Sequence, residues 1–339
     1  MRQTGLGSRL LGAIVWASTS CIAASASAQE GWSEPTVTEE ATDGTSAYTS
    51  TPRAFGAPPD GSIRIAPRWD TFVYTGSQDA GFASYTTDVW VNVFGADVDI
   101  GEAVFRLNVP LGYYALTGRG GGMSVRSDQA ELGNVELEGY ADIPIGPEHR
   151  LLIGGGLALP TSTDPYCASP GCNGRGAAVR LGSWVTSFRN APAWAEQSFG
   201  IYPQIEYTLG VPWVLVRAVG SIPLLIPTNS DLGGGLVLHR GNVELMMQLD
   251  VSGAVRIVEA VDVGVSFLGW AQPSGAGVAG NPDLGQTAMT FFVQTDPALD
   301  FPITGGAEFI LNLDNAWGPT GDDGKYWGLH LHVGGRFDL

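Results

Sequence analysis

The fifteen residues KYWGLHLHVGGRFDL, Lys325 to Leu339, decide how the chain is read. Leu329, Leu331, Val333, Gly335, Phe337 and Leu339 recur at every second position, with His330, His332, Gly334, Arg336 and Asp338 between them. Successive side chains of an extended strand point to opposite faces, so this alternation predicts a strand with one apolar and one polar side. A terminal strand of a soluble sandwich usually carries a polar tail. Here the apolar face continues through the final residue.

Outward from this stretch, the composition fits the same idea. The chain has 339 residues, 44% of them hydrophobic and only 15% charged, with 48 Gly and a formal charge of −17. Mean hydropathy is +0.08, yet no internal apolar run reaches the roughly 18 residues of a spanning helix. Lipid-facing and lumen-facing residues cancel in a membrane barrel, which yields near-neutral hydropathy without a long apolar run. A large secreted all-β protein is the competing class. Lys325 is the only lysine, and without a basic patch or stripe nucleic acid is excluded as a partner.

The alternation returns along the chain. Phe105, Leu107, Val109, Leu111 and Tyr113 oppose Arg106 and Asn108. Val135, Leu137, Gly139, Ala141 and Ile143 oppose Glu136, Glu138, Tyr140 and Asp142. Val243, Leu245, Met247, Leu249 and Val251 oppose Glu244, Met246, Gln248 and Asp250, and Ala307, Phe309, Leu311 and Leu313 oppose Glu308 and Asn312. Mid-strand charge on one face only, repeated over the whole chain, predicts an all-β fold: a transmembrane antiparallel β-barrel of about 12–14 strands. Its lumen would be lined by Arg106, Asn108, Glu136, Glu138, Tyr140, Asp142, Arg217, Glu244, Gln248, Asp250, Asp262, Glu308 and Asn312. Counting 176–187 and 231–239 as strands gives fourteen; without 176–187 and one short segment the count is twelve. The count places the Gly-rich stretches 116–131, 161–175, 271–285 and 314–325 outside the cell, and the tight links Ile145–Glu148 and Ala298–Pro302 inside. Trp184, Trp213, Trp270, Trp317, Tyr326 and Trp327 fall near strand ends, as interfacial aromatics would.

Residues 1–28 read as a signal peptide. Arg2 and Arg9 precede an apolar stretch that ends in Ala26-Ser27-Ala28, a small-residue cleavage pattern. Residues 29–61, acidic and rich in Ser, Thr and Pro, bury too little apolar surface to fold and read as a flexible periplasmic leader. Residues 62–339 form the barrel. Cys167 and Cys172, an even pair in the exported loop DPYCASPGCNGRG, are expected to form a disulfide.

His330 and His332 share one strand face and have the spacing to hold a metal, but no third ligand is evident near them in sequence. No metal, cofactor or catalytic set is therefore expected, and the chain reads as a non-enzyme.

Two resemblances add to these readings. The ending HVGGRFDL resembles the carboxy-terminal signal of outer-membrane β-barrels, with a polar residue (His332), Gly334, and then Phe337 and Leu339 alternating to the end. Bacterial signals usually end in an aromatic residue; here Phe337 stands two places earlier. That resemblance implies handling by the barrel-assembly machinery and outer-membrane lipid as the solvent. The segments VPLGYYALTG (109–118), LGNVELEGYADIPIG (132–146) and GGLALPTSTD (155–164) look like successive segments of outer-membrane transporters associated with phenol and other aromatic degradation. Those transporters are distant relatives of the fatty-acid transporter barrels. Where that family has Gly-Asp and Pro-Thr-Gly, this chain has Gly133-Asn134 and Pro160-Thr161-Ser162, and its polar leader differs from an apolar plug. This resemblance implies a barrel of the Gram-negative outer membrane that passes small solutes, hydrophobic or aromatic compounds among them, through the lumen or a lateral opening. A plugged barrel with a structural or adhesive role is the alternative.

Overall fold

Strands form where the two-residue period holds, and each alternating segment pairs with the next along the chain. The computed structural model describes residues 47–48, 52–53, 63–79, 84–146, 148–162, 191–194, 198–211, 213–228, 243–258, 261–272, 284–295, 303–313, 325–335 and 337–339. We label the barrel strands in chain order. β1 is Arg64–Asp79, β2 Ser84–Ile100 and β3 Ala103–Gly120. β4 runs in two segments, Met123–Leu132 and Val135–Gly146, both paired with β3. β5 is His149–Leu159 and β6 Ser198–Val211. β7 comprises Val214–Ser221 and Leu224–Pro227, and β8 comprises Glu244–Leu245 and Met247–Val258. β9 is Val261–Gln272, β10 Leu284–Thr295 and β11 Ile303–Asn312; β12 comprises Lys325–Gly335 and Phe337–Asp338. One short helix, α1, spans Ala191–Trp194.

Every strand is antiparallel to its neighbours, and the last returns to the first. Val333 lies opposite Trp69 and Phe337 opposite Ile65. Leu339 N donates to Ile63 O at 2.8 Å, and Ile63 N donates to Leu339 O at 3.3 Å. The result is a closed barrel of twelve strands. The count of fourteen is corrected: β5 pairs directly with β6 and β7 directly with β8, which leaves no ladder position for a strand between either pair. Residues 176–187 and 231–239 lie outside the described residues. Closure removes the free sheet edge, which in lipid would leave backbone groups without hydrogen bonds.

The links 101–102, 147–148, 212–213, 259–260 and 296–302 join strand ends on one side; the longer links 160–197, 228–243, 273–283 and 313–324 join strand ends on the other, as do the short links 80–83 and 121–122. The stretch 116–131, expected to be a loop, is instead strand: β3 and β4 continue through it to a two-residue turn. Gly121 and Gly122 make that turn with φ of 58° and 80°. Positive φ at both central residues defines the type I′ hairpin, whose twist matches that of the flanking strands.

The outward face is apolar. Trp90, Phe94, Phe105, Leu331, Phe291 and Phe309 are about half exposed. Trp69 and Phe94 stack at 6.4 Å, and Phe309 sits opposite both Phe291 and Leu329. In water this surface would be a large exposed apolar patch; around a barrel it is the lipid-facing band. Within the stretch read as leader, Ala47–Tyr48 pair with Pro52–Arg53 in a two-residue ladder.

Candidate functional site: two zones inside the barrel

The side chains between the outward ones turn inward, and their chemistry changes along the barrel axis. The half towards the long links carries an apolar belt: Phe72, Tyr74, Val89, Val91 and Tyr114 on β1–β3, then Leu225, Met246, Leu268, Trp270, Ala288 and Ile310 on β7–β11, all buried. Ala193 of α1 packs into the same belt. Inward rings in both halves lie across glycines. A Cβ at Gly328, opposite Tyr74, would run into the Tyr74 ring, and one at Gly156 into the ring of Tyr202 opposite it. Inward bulk is thus accommodated by missing side chains rather than by widening the ring.

Helix α1 is held by the kink in β4. Asn134 N donates to Ala193 O at 2.8 Å, and Asn134 Nδ2 donates to Pro192 O at 2.9 Å. Ser162 N donates to Asn134 Oδ1 at 3.0 Å. Thr161 Oγ1 donates to Gly133 O at 2.8 Å and accepts from Val135 N at 2.8 Å. The two places where the sequence departs from the aromatic-transporter pattern, Gly133-Asn134 and Thr161-Ser162, are therefore hydrogen-bonded to each other. They anchor the connection between β5 and β6.

The half towards the short links is charged. Asp97, Arg106 and Glu138 stand in one cross-strand row on β2, β3 and β4. Arg106 Nε donates to Asp97 Oδ1 at 3.1 Å and Arg106 Nη1 to Glu138 Oε2 at 3.0 Å. Arg68 crosses Gly95, pairing with Asp97 at 2.5 Å and donating to Asn108 Oδ1. Asn108 Nδ2 donates to Glu136 Oε2 at 3.2 Å and Glu138 Oε1 at 3.1 Å. The hydroxyls of Tyr140 and Tyr202 both donate to Glu138, at 2.5 and 3.3 Å. Charges taken out of water persist only when paired and hydrogen-bonded, and this network supplies both. On the far wall Arg217 pairs with Glu206 at 3.1 Å, and Arg256 with Asp262 at 3.2 Å. Asp250 accepts from Ser266 Oγ at 2.5 Å and keeps 30% of its side-chain exposure.

The thirteen residues expected to line the lumen are buried or partly buried. Arg106, Asn108, Glu136, Glu138 and Tyr140 meet in the first network. Asp142 pairs instead with Arg150, Arg217 with Asp250 at 3.8 Å, and Gln248 accepts from Ser221 at 3.3 Å. Glu244 lies fully buried beside the apolar belt residue Met246. Glu308 faces His330, and Asn312 faces Ala288 across the ladder.

Trp270 is corrected: it is buried in the belt and takes no part in an interfacial girdle. Trp213 and Trp327 are exposed, while Trp184, Trp317, Cys167 and Cys172 lie outside the described residues. In the terminal signal, His332 and Gly334 are buried and Phe337 and Leu339 exposed. The sequence reading missed the inward belt and a third acceptor for the histidine pair. Among the described residues, Glu308, His330 and His332 have candidate ligand atoms within 4.8 Å of one another.

No family model matches the sequence, and no curated protein does. The fold is shared with solved outer-membrane barrels. An outer-membrane channel from Pseudomonas putida F1 is 11% identical, with 82% of this chain and 96% of that one covered and a TM-score of 0.53. The NanC porin is 10% identical, covering 78% of this chain and 98% of its own, at a TM-score of 0.39. The translocator domain of the autotransporter NalP from Neisseria meningitidis is 12% identical, over 81% and 88%, at 0.41.

Proposed function

We propose that the chain is a channel of the Gram-negative outer membrane that passes small, partly apolar solutes. The observation that carries this reading is the change of inward chemistry along the axis, from an aromatic and aliphatic belt to a carboxylate-rich, ion-paired zone. On the side of the long links an apolar solute would gain contact with Phe72, Tyr74 and Trp270 by displacing the side chains that bury them. It then meets a zone whose carboxylates outnumber its guanidiniums: Asp97, Glu136 and Glu138 face Arg68 and Arg106. Negative charge that faces a water-filled passage, as the partly exposed Asp250 would supply, favours cations and neutral molecules over anions. The fold shared with the Pseudomonas putida channel and the resemblance to aromatic-degradation transporters support the same reading; neither names the solute. The experiment is reconstitution of the detergent-extracted protein in a planar bilayer. Discrete, cation-selective conductance steps support a channel, and reversal potentials with anion preference overturn the selectivity.

One observation favours a second reading, a plugged barrel. Tyr74, Tyr114, Trp270, Met246 and Ile310 are fully buried, so the interior at belt level is occupied by protein. A barrel in the membrane with no conductance would carry that reading.

A further inference from the structure

The closure of the barrel brings together three metal-ligating side chains. His330 and His332 are two apart on β12, so both turn inward. Glu308 on β11 is the direct cross-strand partner of His330. Glu308 Oε1 stands 3.1 Å from His330 Nδ1, and the candidate donor atoms of all three residues lie within 4.8 Å of one another. Two ligands of one tetrahedral ion, with bonds of about 2.0–2.1 Å, stand roughly 3.3 Å apart. The Glu308–His330 spacing is already that of a ligand pair. His332 offers the third donor, within 4.8 Å of the other two.

The surroundings are those of a metal-bound imidazole. His330 Nε2 donates to Asp70 Oδ1 at 3.0 Å, and Asp70 Oδ2 is 3.3 Å from Arg68 Nε. A carboxylate on the far nitrogen fixes the tautomer, orients the ring and raises the basicity of the ligating nitrogen. Phe72 stacks on His330 at 4.1 Å and 6°, which holds the ring plane. His332 lies over Gly306, its cross-strand partner, where a Cβ would collide with the imidazole. The position opposite His332 is therefore left empty for the ring.

We infer that Glu308, His330 and His332 bind one divalent transition-metal ion inside the barrel, with Asp70 as the outer partner of His330. Two imidazoles and one carboxylate suit ions of the zinc class rather than calcium or magnesium. The ion would sit where β11, β12 and β1 meet and would tie the last strand to its neighbours at the seam that closes the ring.

The test uses the full chain extracted from outer membranes in detergent, carrying no polyhistidine tag and stripped with a chelator. Zinc is titrated by calorimetry, and cobalt is followed by its visible absorption bands. One zinc per barrel is expected. His332→Ala and Glu308→Gln should each weaken binding by at least about tenfold, and Asp70→Asn by about 10–100-fold. Gly306→Ala, which keeps all three donor residues but crowds the His332 ring, should also weaken it, while His149→Ala should not. Heat-dependent gel mobility reports whether each variant is folded. Absence of saturable zinc uptake by the folded wild type would overturn the inference. Uptake unchanged in the His330→Ala/His332→Ala double variant would overturn it as well.

Discussion

Asp97 and Arg106 face each other directly across β2 and β3, and Arg106 Nε donates to Asp97 Oδ1 at 3.1 Å with both side chains buried. Glu138 completes the row from β4. Removing the guanidinium alone leaves Asp97 with Arg68 only and the buried Glu138 without its guanidinium partner. Arg106→Ala should therefore cost about 3–5 kcal/mol in urea unfolding from lipid vesicles. The triple variant Asp97→Leu, Arg106→Met and Glu138→Leu should cost at least as much, because it leaves the buried Arg68 without Asp97 and the Tyr140 hydroxyl without Glu138. A triple variant less destabilised than Arg106→Ala would show that the desolvation of the row outweighs those partners.

The lipid face makes the opposite demand. Leu331 is outward, about half exposed, and lies between Ala307 and Thr71 in mid-strand. Leu331→Arg should cost about 2–4 kcal/mol in the same assay. An effect under about 0.5 kcal/mol, the range of an ordinary surface change, would contradict lipid contact there.

Gly95 lies on the inward alternate with Asp97, whereas Gly253 lies on the outward alternate with Val255, and the two differ in what they make room for. A Cβ at Gly95 would come within 2.8 Å of Arg68 Cζ and push the guanidinium off Asn108. Gly95→Ala should cost about 1–3 kcal/mol, the usual range for overpacking. Gly253 has nothing within 4 Å of its ideal Cβ, so Gly253→Ala should be neutral or mildly stabilising through the unfolded chain. Equal effects at both positions would mean that Arg68 is not constrained by the gap.

Where alternation carries opposite chemistry, the sequence showed both the strand and its inward side. Leu329, Leu331 and Val333 are exposed while His330 and His332 are buried. Where both faces are apolar, the period says nothing about direction. In β2, Val89, Trp90 and Val91 are all apolar; Trp90 is exposed, whereas Val89 and Val91 form part of the inward belt. Trp270 is ambiguous in sequence for the same reason. The histidine pair was visible in sequence. Its third donor was not, because Glu308 reaches it only through the β11–β12 register and Asp70 only through ring closure, 260 residues away. Strand number also depended on pairing: alternation cannot say whether a segment such as 231–239 enters the ladder.

Asp250 projects from β8 towards Ser266 and Arg217 and keeps 30% of its side-chain exposure, which makes it the solvent-accessible acid of the far wall. In reconstituted channels, Asp250→Asn should lower the cation-to-anion permeability ratio, and more strongly at low salt, where screening is weak. Asp262→Asn, buried beside Arg256, should alter stability more than selectivity. A ratio indifferent to Asp250 would place the ion path elsewhere in the barrel.

Trp270 tests whether the apolar belt lies on the path of the solute. Its ring is fully buried among Leu268, Met246 and Ala288. Trp270→Ala should cost about 3–5 kcal/mol. It should also raise single-channel conductance if the belt sets the narrowest level, because the largest inward side chain of that ring would be gone. Trp270→Phe keeps most of the bulk and should lie close to wild type in both measurements. Lower stability with unchanged conductance would make the belt packing rather than passage and would favour the plugged barrel. A parallel rise in conductance and in uptake of apolar solutes would make it the constriction that selects them.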